Sequence, residues 1–270
     1  AHRTFSWTNE AKGKAAVHCV IVGFGLQDVA EKTIFEYADI KGEALAVPVS
    51  NINPYLVDAP DLVLEKRNQP ICIVPTISYG SMANDDGHLL LDKEQRNALI
   101  AAEPATAPYI RRYMGAQEFL NNAERWCLWL KDISPSLMRS SNELRHRIEA
   151  VRKFRASSNR EATRNLAATP SLFGEDRQPL KSYLLLPKVS SENRPYMPIG
   201  FMPSEVIANG SALTISDSGH YEMGVLQSKM HMAWMRAVAG RMKSDYQYSA
   251  QIVYNNFPWP DLPEKLEPNQ

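Results

Sequence analysis

The first strongly apolar segment of the chain is short and stands alone, and this feature restricts the fold most. Residues 15–24 form a nearly continuous, valine-rich run, which is typical of a strand buried on both faces. A domain built from βαβ units would continue with alternating strands and helices, and no such series follows. We therefore expect one edge of a sheet, followed by a proline-containing linker over residues 42–64.

Beyond the linker the sequence predicts a compact α+β module that extends to about residue 201. The module opens with short strands and the turn Asn84–Gly87. Asp92 is placed to cap a helix that ends near Ala101. The aromatic segment 125–130 predicts a strand, and a long polar helix is expected from Ser141 to about Asn165.

The last third of the chain mixes two strands with a methionine-rich helical segment. Strands are predicted at residues 183–186, stopped by Pro187, and at residues 211–215. Beyond Tyr221, methionines recur at helical spacing until about Gly240. The expected fold class is therefore α+β, with small mixed sheets and a helical C-terminal segment.

Composition excludes several classes of protein. No stretch reaches the roughly 18 apolar residues that a membrane helix needs, and the start lacks the pattern of a signal peptide. We therefore expect a cytoplasmic protein without membrane partners. Cys19, Cys72 and Cys127 include no CxxC pair and are interpreted as reduced core residues. Because Arg3–Trp7 leads almost directly into a strand, we expect the chain to begin within a longer protein.

The charge of the chain is balanced overall but not locally. Lysine and arginine together number 30, as do aspartate and glutamate. Residues 139–164 nevertheless contain eight basic and three acidic residues, a local net charge of +5. This segment is therefore the best candidate for contact with a nucleic acid.

Motifs that could carry catalysis are weak in this sequence. Val22–Gly25 resembles a glycine-rich cofactor loop, but no clear helix or following acidic residue accompanies it. Asn53–Tyr55 and Asn256–Trp259 each lack the double proline of the loop with which amino-methyltransferases hold a flipped adenine, so loop anchoring is favoured. The histidines are not spaced as metal ligands, and Asp85–Asp86 lies in a turn without the residues of a nuclease centre. We expect no catalytic residue, cofactor site or metal site here.

The basic helix has the pattern of a phosphate-binding surface. Arg145, Arg152, Lys153 and Arg155 fall on one or two adjacent faces. Arginines in this arrangement displace the counterions of DNA, although such a face is often only solvated. The packed side is expected to consist of Leu144, Ile148, Val151 and Phe154.

Two later segments have side chains suited to reading bases. Val189–Tyr196 combines a carboxylate, an amide and a guanidinium, which can recognise cytosine, adenine and guanine edges in a major groove. Arg241–Tyr248 follows a helix end with a similar density of polar and aromatic groups. Each segment can also be an ordinary surface turn.

Nearly the whole chain resembles one family. Phe5–Ala11 with Ala15–Phe24 resembles the end of the methyltransferase domain of MmeI-like (type IIL) restriction-modification enzymes and related DNA methylases. Gly80–Leu89, Gly115–Phe119 and Arg125–Leu130 resemble the target-recognition domain of that family. The C-terminal segment is represented by Ala233–Tyr246 and Tyr254–Pro260.

The resemblance implies the function of a longer parent protein. It implies methylation of adenine N6 in double-stranded DNA with S-adenosylmethionine, by a catalytic loop and cofactor loop upstream of Ala1. It also implies three parts: residues 1–65 end the methyltransferase domain and form a linker, residues 66–205 recognise the DNA target, and residues 206–270 form the helical segment. A nuclease domain in the parent stays open.

The resemblance also assigns roles to individual residues. The family's Ser-Ser-Glu-x-Arg turn matches residues 190–194, so base reading is carried to Glu192 and Arg194. We extend base reading to Asn159, Arg160 and Arg139. The expected phosphate contacts are Arg145, Arg152, Lys153, Arg155, Arg241 and Lys243.

Two other functions remain open at this point. The chain could be an interaction or scaffolding module that docks the methionine-rich helix Met223–Met235 onto a separate methyltransferase. It could also be an independently active methyltransferase. Salt-sensitive duplex binding would favour the recognition module over the docking module. Absence of S-adenosylmethionine binding would argue against an independently active methyltransferase.

Overall fold

A computed structural model describes residues 1–7 and 17–261 of the chain. Residues 8–16 and 262–270 lie outside this description, and they include parts of the predicted first strand and of the Phe5–Ala11 match, together with Pro263 and Pro268. The strands are β1 (His2–Trp7), β2 (Val17–Ile21), β3 (Lys32–Glu36), β4 (Leu45–Val49), β5 (Ile77–Tyr79), β6 (Leu90–Leu91), β7 (Ile110–Met114), β8 (Trp126–Leu128), β9 (Tyr183–Pro187), β10 (Val189–Ser190), β11 (Gly200–Met202), β12 (Ile207–Ala208), β13 (Ala212–Ser216), β14 (Gly240–Met242) and β15 (Asp245–Gln247).

Helices are interspersed among these strands. They are α1 (Lys93–Ala102), α2 (Ala116–Asn121), α3 (Pro135–Ser140), α4 (Asn142–Ala156), α5 (Glu161–Asn165), α6 (His220–Leu226) and α7 (Lys229–Val238), with short 3₁₀ segments at Pro104–Tyr109 and Leu166–Ala168 and a π-helical turn at Ala250–Tyr254. The predicted α+β class is confirmed. None of the helices in the described residues is long and apolar enough to span a membrane.

The N-terminal sheet has the order β2-β1-β3-β4, so β2 is an edge strand as predicted. Burial of β2 on both faces, however, was a wrong prediction. Val17, Val20 and Ile21 are 47–53% exposed. Valine content favours a strand through the stiffness of the β-branched side chain, and this preference does not by itself determine what covers the strand.

A second sheet, β12-β7-β8-β6, carries the first hydrophobic core. The predicted helix near residue 92 is present as α1, and Asp92 caps it through a hydrogen bond from Gln95 N at 2.7 Å. Helix α4 buries Leu144, Ile148 and Val151 in this core. The predicted packed side of the basic helix is therefore correct except at Phe154, which is 37% exposed.

The long polar helix ends earlier than predicted. Helix α4 stops at Ala156, and the separate helix α5 begins at Glu161. Serine side chains compete for backbone groups at the break: Ser157 Oγ donates to Phe154 O at 2.9 Å, and Ser158 Oγ accepts from Arg160 N at 3.2 Å. Such local hydrogen bonds offer the backbone an alternative to helix continuation.

The third sheet has the order β11-β9-β13-β5. It joins β13, from the C-terminal part of the chain, to three strands that precede residue 205. Strand β13 pairs with β9 over Ala212–Ser216 and with β5 on its other side. The boundary predicted between residues 205 and 206 therefore falls between strands that pair within one sheet. The methionine-rich segment forms two helices rather than one, because Ser228 Oγ caps α7 by accepting from His231 N at 3.1 Å.

Candidate nucleic-acid interface

The turn predicted to read bases is built on a small sheet. Strand β10 pairs antiparallel with β15, with Ser190 opposite Tyr246. The chain then reverses, and Arg194 N donates to Ser191 O at 3.1 Å. Glu192 and Arg194 are both partly exposed at this turn. Their charged groups can therefore be reached from solvent on a backbone fixed by strand pairing.

The hairpin formed by β14 and β15 brings two predicted phosphate contacts to the same sheet. Arg241 lies opposite Tyr246, stacks on its ring at 3.9 Å, and donates to Ser244 O at 2.9 Å. Lys243 occupies the turn with a φ of +58° and is exposed. Because Tyr246 pairs with both Ser190 and Arg241, two strand spacings, about 10 Å, separate those two residues. The structure thus brings the Glu192–Arg194 turn and the Arg241–Lys243 hairpin together.

Helix α4 presents the other group of basic side chains. Arg145, Arg152 and Lys153 are exposed, Lys153 opposite the buried leucine and isoleucine and the two arginines on the flank of the helix. Arg145 contacts Asn142, and Arg152 lies 3.6 Å from Glu149. These contacts join exposed groups, which form weak pairs in water. The arginines therefore remain available to an external anion.

Arg155 was assigned wrongly as a phosphate contact. Its exposed fraction is 0%, and its guanidinium lies in the interior of the module. All five of its N–H groups are occupied by backbone carbonyls, which an arginine can satisfy with its forked geometry. The acceptors are Asn84 O at 2.9 Å, Leu166 O at 3.0 Å, Thr169 O at 2.9 Å, Ala83 O at 2.8 Å and Leu172 O at 2.8 Å.

Helical periodicity contained the signal for this burial. Arg155 follows Leu144 by eleven residues, which is three turns with an angular offset of only about 20°. Arg155 therefore continues the stripe of Leu144, Ile148 and Val151. Its charge favoured the solvent-facing interpretation, because arginine is seldom fully buried without partners.

The remaining predicted base-reading residues lie at the two ends of α4. Asn159 and Arg160 are exposed in the break between α4 and α5. Arg139 is exposed in the last turn of α3, just before α4 begins. The 15 residues of α4 extend about 22 Å, so the structure does not bring Arg139 to the Asn159–Arg160 segment.

A further group of basic and aromatic residues is visible only in the structure. Tyr79, Arg177 and Lys188, named here the Lys188 cluster, meet where β5 ends and β9 passes into β10. Their separation in sequence hides the cluster, since strand pairing alone brings residue 79 to residue 188.

Segments that resembled catalytic loops have structural roles instead. Asn53 is buried, and its Oδ1 accepts from Tyr55 N at 2.9 Å. Asn256 accepts from Arg67 Nε at 3.0 Å and donates to backbone carbonyls. No helix follows Gly25, where a cofactor loop would need one, because β3 comes next. In the parts of the chain that are described, no three potential ligands among His, Cys, Asp and Glu group as a metal site.

The methionine-rich segment gives limited support to the docking hypothesis. Met232 and Met235 are 3% and 0% exposed and belong to the second hydrophobic core. Met230, at 73% exposure, is the clear exception. The methionines of α7 therefore serve mainly as packing residues, which is their ordinary use in a core.

Comparison with known proteins identifies related domains along the chain. The family model described as the MmeI target recognition domain matches residues 58–261, and the model described as the MmeI DNA-methyltransferase domain matches residues 1–36. A curated relative, DNA methyltransferase A of Bacillus subtilis (strain 168), is 37% identical over 262 residues, which is 97% of this chain and 29% of the relative.

A solved structure also aligns with the chain. It is described as the type IIL restriction-modification enzyme MmeI in complex with DNA, and it is 48% identical with a TM-score of 0.89. The alignment covers 98% of this chain and 35% of that one, so the chain spans about a third of the length of these relatives. The family model matches well over half of the present chain, which therefore belongs to the MmeI target recognition domain family.

Proposed function

We propose that this chain recognises a short double-stranded DNA sequence for a restriction-modification DNA methyltransferase of which it is a part. The observation that carries this proposal is the sheet β10-β15-β14, which holds the Glu192–Arg194 turn beside Arg241 and Lys243. Similarity to an enzyme solved with DNA supports the same function.

Within this proposal, base reading and phosphate binding belong to different side chains. Glu192 can accept a hydrogen bond from cytosine N4, and Arg194 can donate two to guanine. Asn159, Arg160 and Arg139 are proposed as further base readers. The phosphate contacts, which give affinity without sequence information, are proposed to be Arg145, Arg152, Lys153, Arg241 and Lys243.

Chemistry belongs to another part of the parent protein in this proposal. A methyltransferase domain, whose end we place at about residue 65, would flip the target adenine and methylate its N6. S-adenosylmethionine supplies the methyl group there, and the present chain contributes the position on DNA. Cleavage of DNA by the parent and its location in the cytoplasm, which the composition suggests, are separate from this proposal and need their own experiments.

Two substitutions test the division between base reading and phosphate binding. Arg194→Ala is expected to reduce discrimination at one base pair by about 1–3 kcal/mol. Arg152→Ala is expected to weaken binding to all sequences alike and to lower the slope of log affinity against log salt by about one. Binding titrations of the intact protein on duplexes that vary one base pair at a time measure both effects.

The same titrations show how the proposal fails. An equal loss on every duplex for Arg194→Ala would remove its role in reading. Binding by the unsubstituted protein that is insensitive to both salt and sequence would contradict DNA recognition altogether. Tight binding to a separate methyltransferase chain instead would support the docking alternative.

A further inference from the structure

The Lys188 cluster places two cations against one aromatic ring. Lys188 Nζ lies 4.7 Å from the centroid of the Tyr79 ring, and Arg177 Cζ lies 5.9 Å from it. Solvent reaches the cluster at Tyr79, which is 39% exposed at the end of edge strand β5. Both distances fall within the range of cation–π attraction.

The charges of this cluster are only partly compensated. Arg177 pairs with Glu175. Lys188 Nζ donates to Gly210 O at 2.8 Å, which leaves two of its three N–H groups for other acceptors. Among the described residues, no carboxylate lies within ion-pair distance of Lys188. Burial, followed by the charge of Arg177, lowers the pKa of Lys188, so this site is one where an added anion would be favourable.

The cluster is connected along the chain to both groups of predicted DNA contacts. Lys188 directly precedes β10 and is three residues before Ser191, where the base-reading turn begins. The chain also links the cluster to α4, because Tyr79 is four residues before Ala83, whose carbonyl accepts a hydrogen bond from Arg155 of that helix. Strand pairing fixes this connection, because Gly80 N donates to Ala212 O at 3.1 Å.

We propose that the Lys188 cluster binds a phosphate of the DNA backbone next to the segment read by the Glu192 turn. This inference rests on the proposed function of DNA recognition. A lysine ammonium binds phosphate as a point charge, and the Arg177 fork adds donors beside the same ring. Phosphate contacts fix the register of a protein on a duplex, and this one would hold the duplex in register against the Glu192 turn.

The test is the salt dependence of binding by the intact protein to a fluorescein-labelled duplex of arbitrary sequence. Lys188→Gln is expected to weaken binding about tenfold and to lower the slope of log affinity against log salt by about 0.9. Lys188→Arg should keep most of the slope. Lys181→Gln is the matched control, because Lys181 is 82% exposed and lies 3.8 Å from Asp217; its slope should match that of the unsubstituted protein.

A second measurement avoids the risk that Lys188→Gln fails to fold. In the unsubstituted protein, the duplex should protect Lys188 from an amine-acylating reagent while Lys181 stays reactive, as measured by peptide mass spectrometry. Unchanged acylation of Lys188 in a saturated complex, or an unchanged salt slope in a folded Lys188→Gln protein, would overturn the inference. If the unsubstituted protein shows no salt-dependent duplex binding, the proposed function itself fails.

Discussion

Two regions carry the predicted DNA contacts, and they are held in place in different ways. The α4 region, residues 139–160, rests on an aliphatic core and on Arg155, whose five N–H groups all meet backbone carbonyls. The hairpin region consists of β14, β15 and the Ser191–Arg194 turn. It rests on strand pairing over an aromatic core that buries Tyr246 and Tyr248.

Each region therefore depends on a different buried polar group. Arg155 stays charged, and its cost of desolvation is offset by its complete set of acceptors. In the second core, His231 is 0% exposed and meets Tyr248 Oη at 3.0 Å through Nε2. Burial lowers the pKa of His231 to about 4, so this group stays neutral at ordinary pH. The comparison implies that acid should weaken the hairpin region first.

The largest expected effect is the loss of Arg155. Arg155→Met should lower the free energy of unfolding by more than about 3 kcal/mol, because five buried carbonyls lose their donor. Urea denaturation followed by circular dichroism measures this effect. Arg152→Met, on the exposed side of the same helix, should change stability by less than about 0.5 kcal/mol. Equal effects of the two changes would show that the helix faces are assigned wrongly.

The next effect is a pH dependence that belongs to the second core. In the folded protein the pKa of His231 is about 4, whereas its ordinary value is 6.5. Between these values the unfolded chain binds a proton that the folded chain does not, so the free energy of unfolding falls as pH decreases from 6.5 to 4. The loss should be on the order of 3 kcal/mol.

His231→Gln isolates this contribution, since an amide can still meet the Tyr248 hydroxyl but does not titrate. Urea denaturation at pH 7 and at about pH 4.5 should give a smaller difference for the variant than for the unsubstituted protein. The same difference in both proteins would assign the acid sensitivity to other groups. Hydrogen exchange would then show whether the α4 region or the hairpin region opens first.

The smallest effect concerns the cap of α4. Ser141 Oγ accepts from Leu144 N at 3.0 Å, so Ser141→Ala should cost about 1 kcal/mol of stability. Ser140→Ala is the control, because Ser140 is exposed and its hydroxyl only donates to Leu137 O. Thermal denaturation of the pair measures the difference. A cost at position 140 equal to that at 141 would argue against capping as its cause.

Local signals in the sequence predicted much of this molecule. Asp92 identified the start of α1, and the leucine and isoleucine spacing identified the buried side of α4. The polar segment Val189–Tyr196 was predicted as a turn before a strand; the turn is present at Ser191–Arg194, but the first two residues of the segment form strand β10. These features depend on residues within one or two turns of each other. The placement of β13 between β9 and β5 depends on partners far along the chain, which local signals near residue 205 do not reveal.

By itself, the sequence determined the α+β class, the capped start of α1, the basic segment and the family resemblance, because each follows from residues close in the chain. Only the tertiary structure decided that a charged Arg155 finds acceptors on the buried side where helical spacing places it, and that Tyr79 meets Lys188. The reason is that burial and charge compensation depend on which distant backbone groups surround a side chain. Helical spacing puts Arg155 on the buried side of α4, and five carbonyls from two other segments of the chain satisfy its charge there.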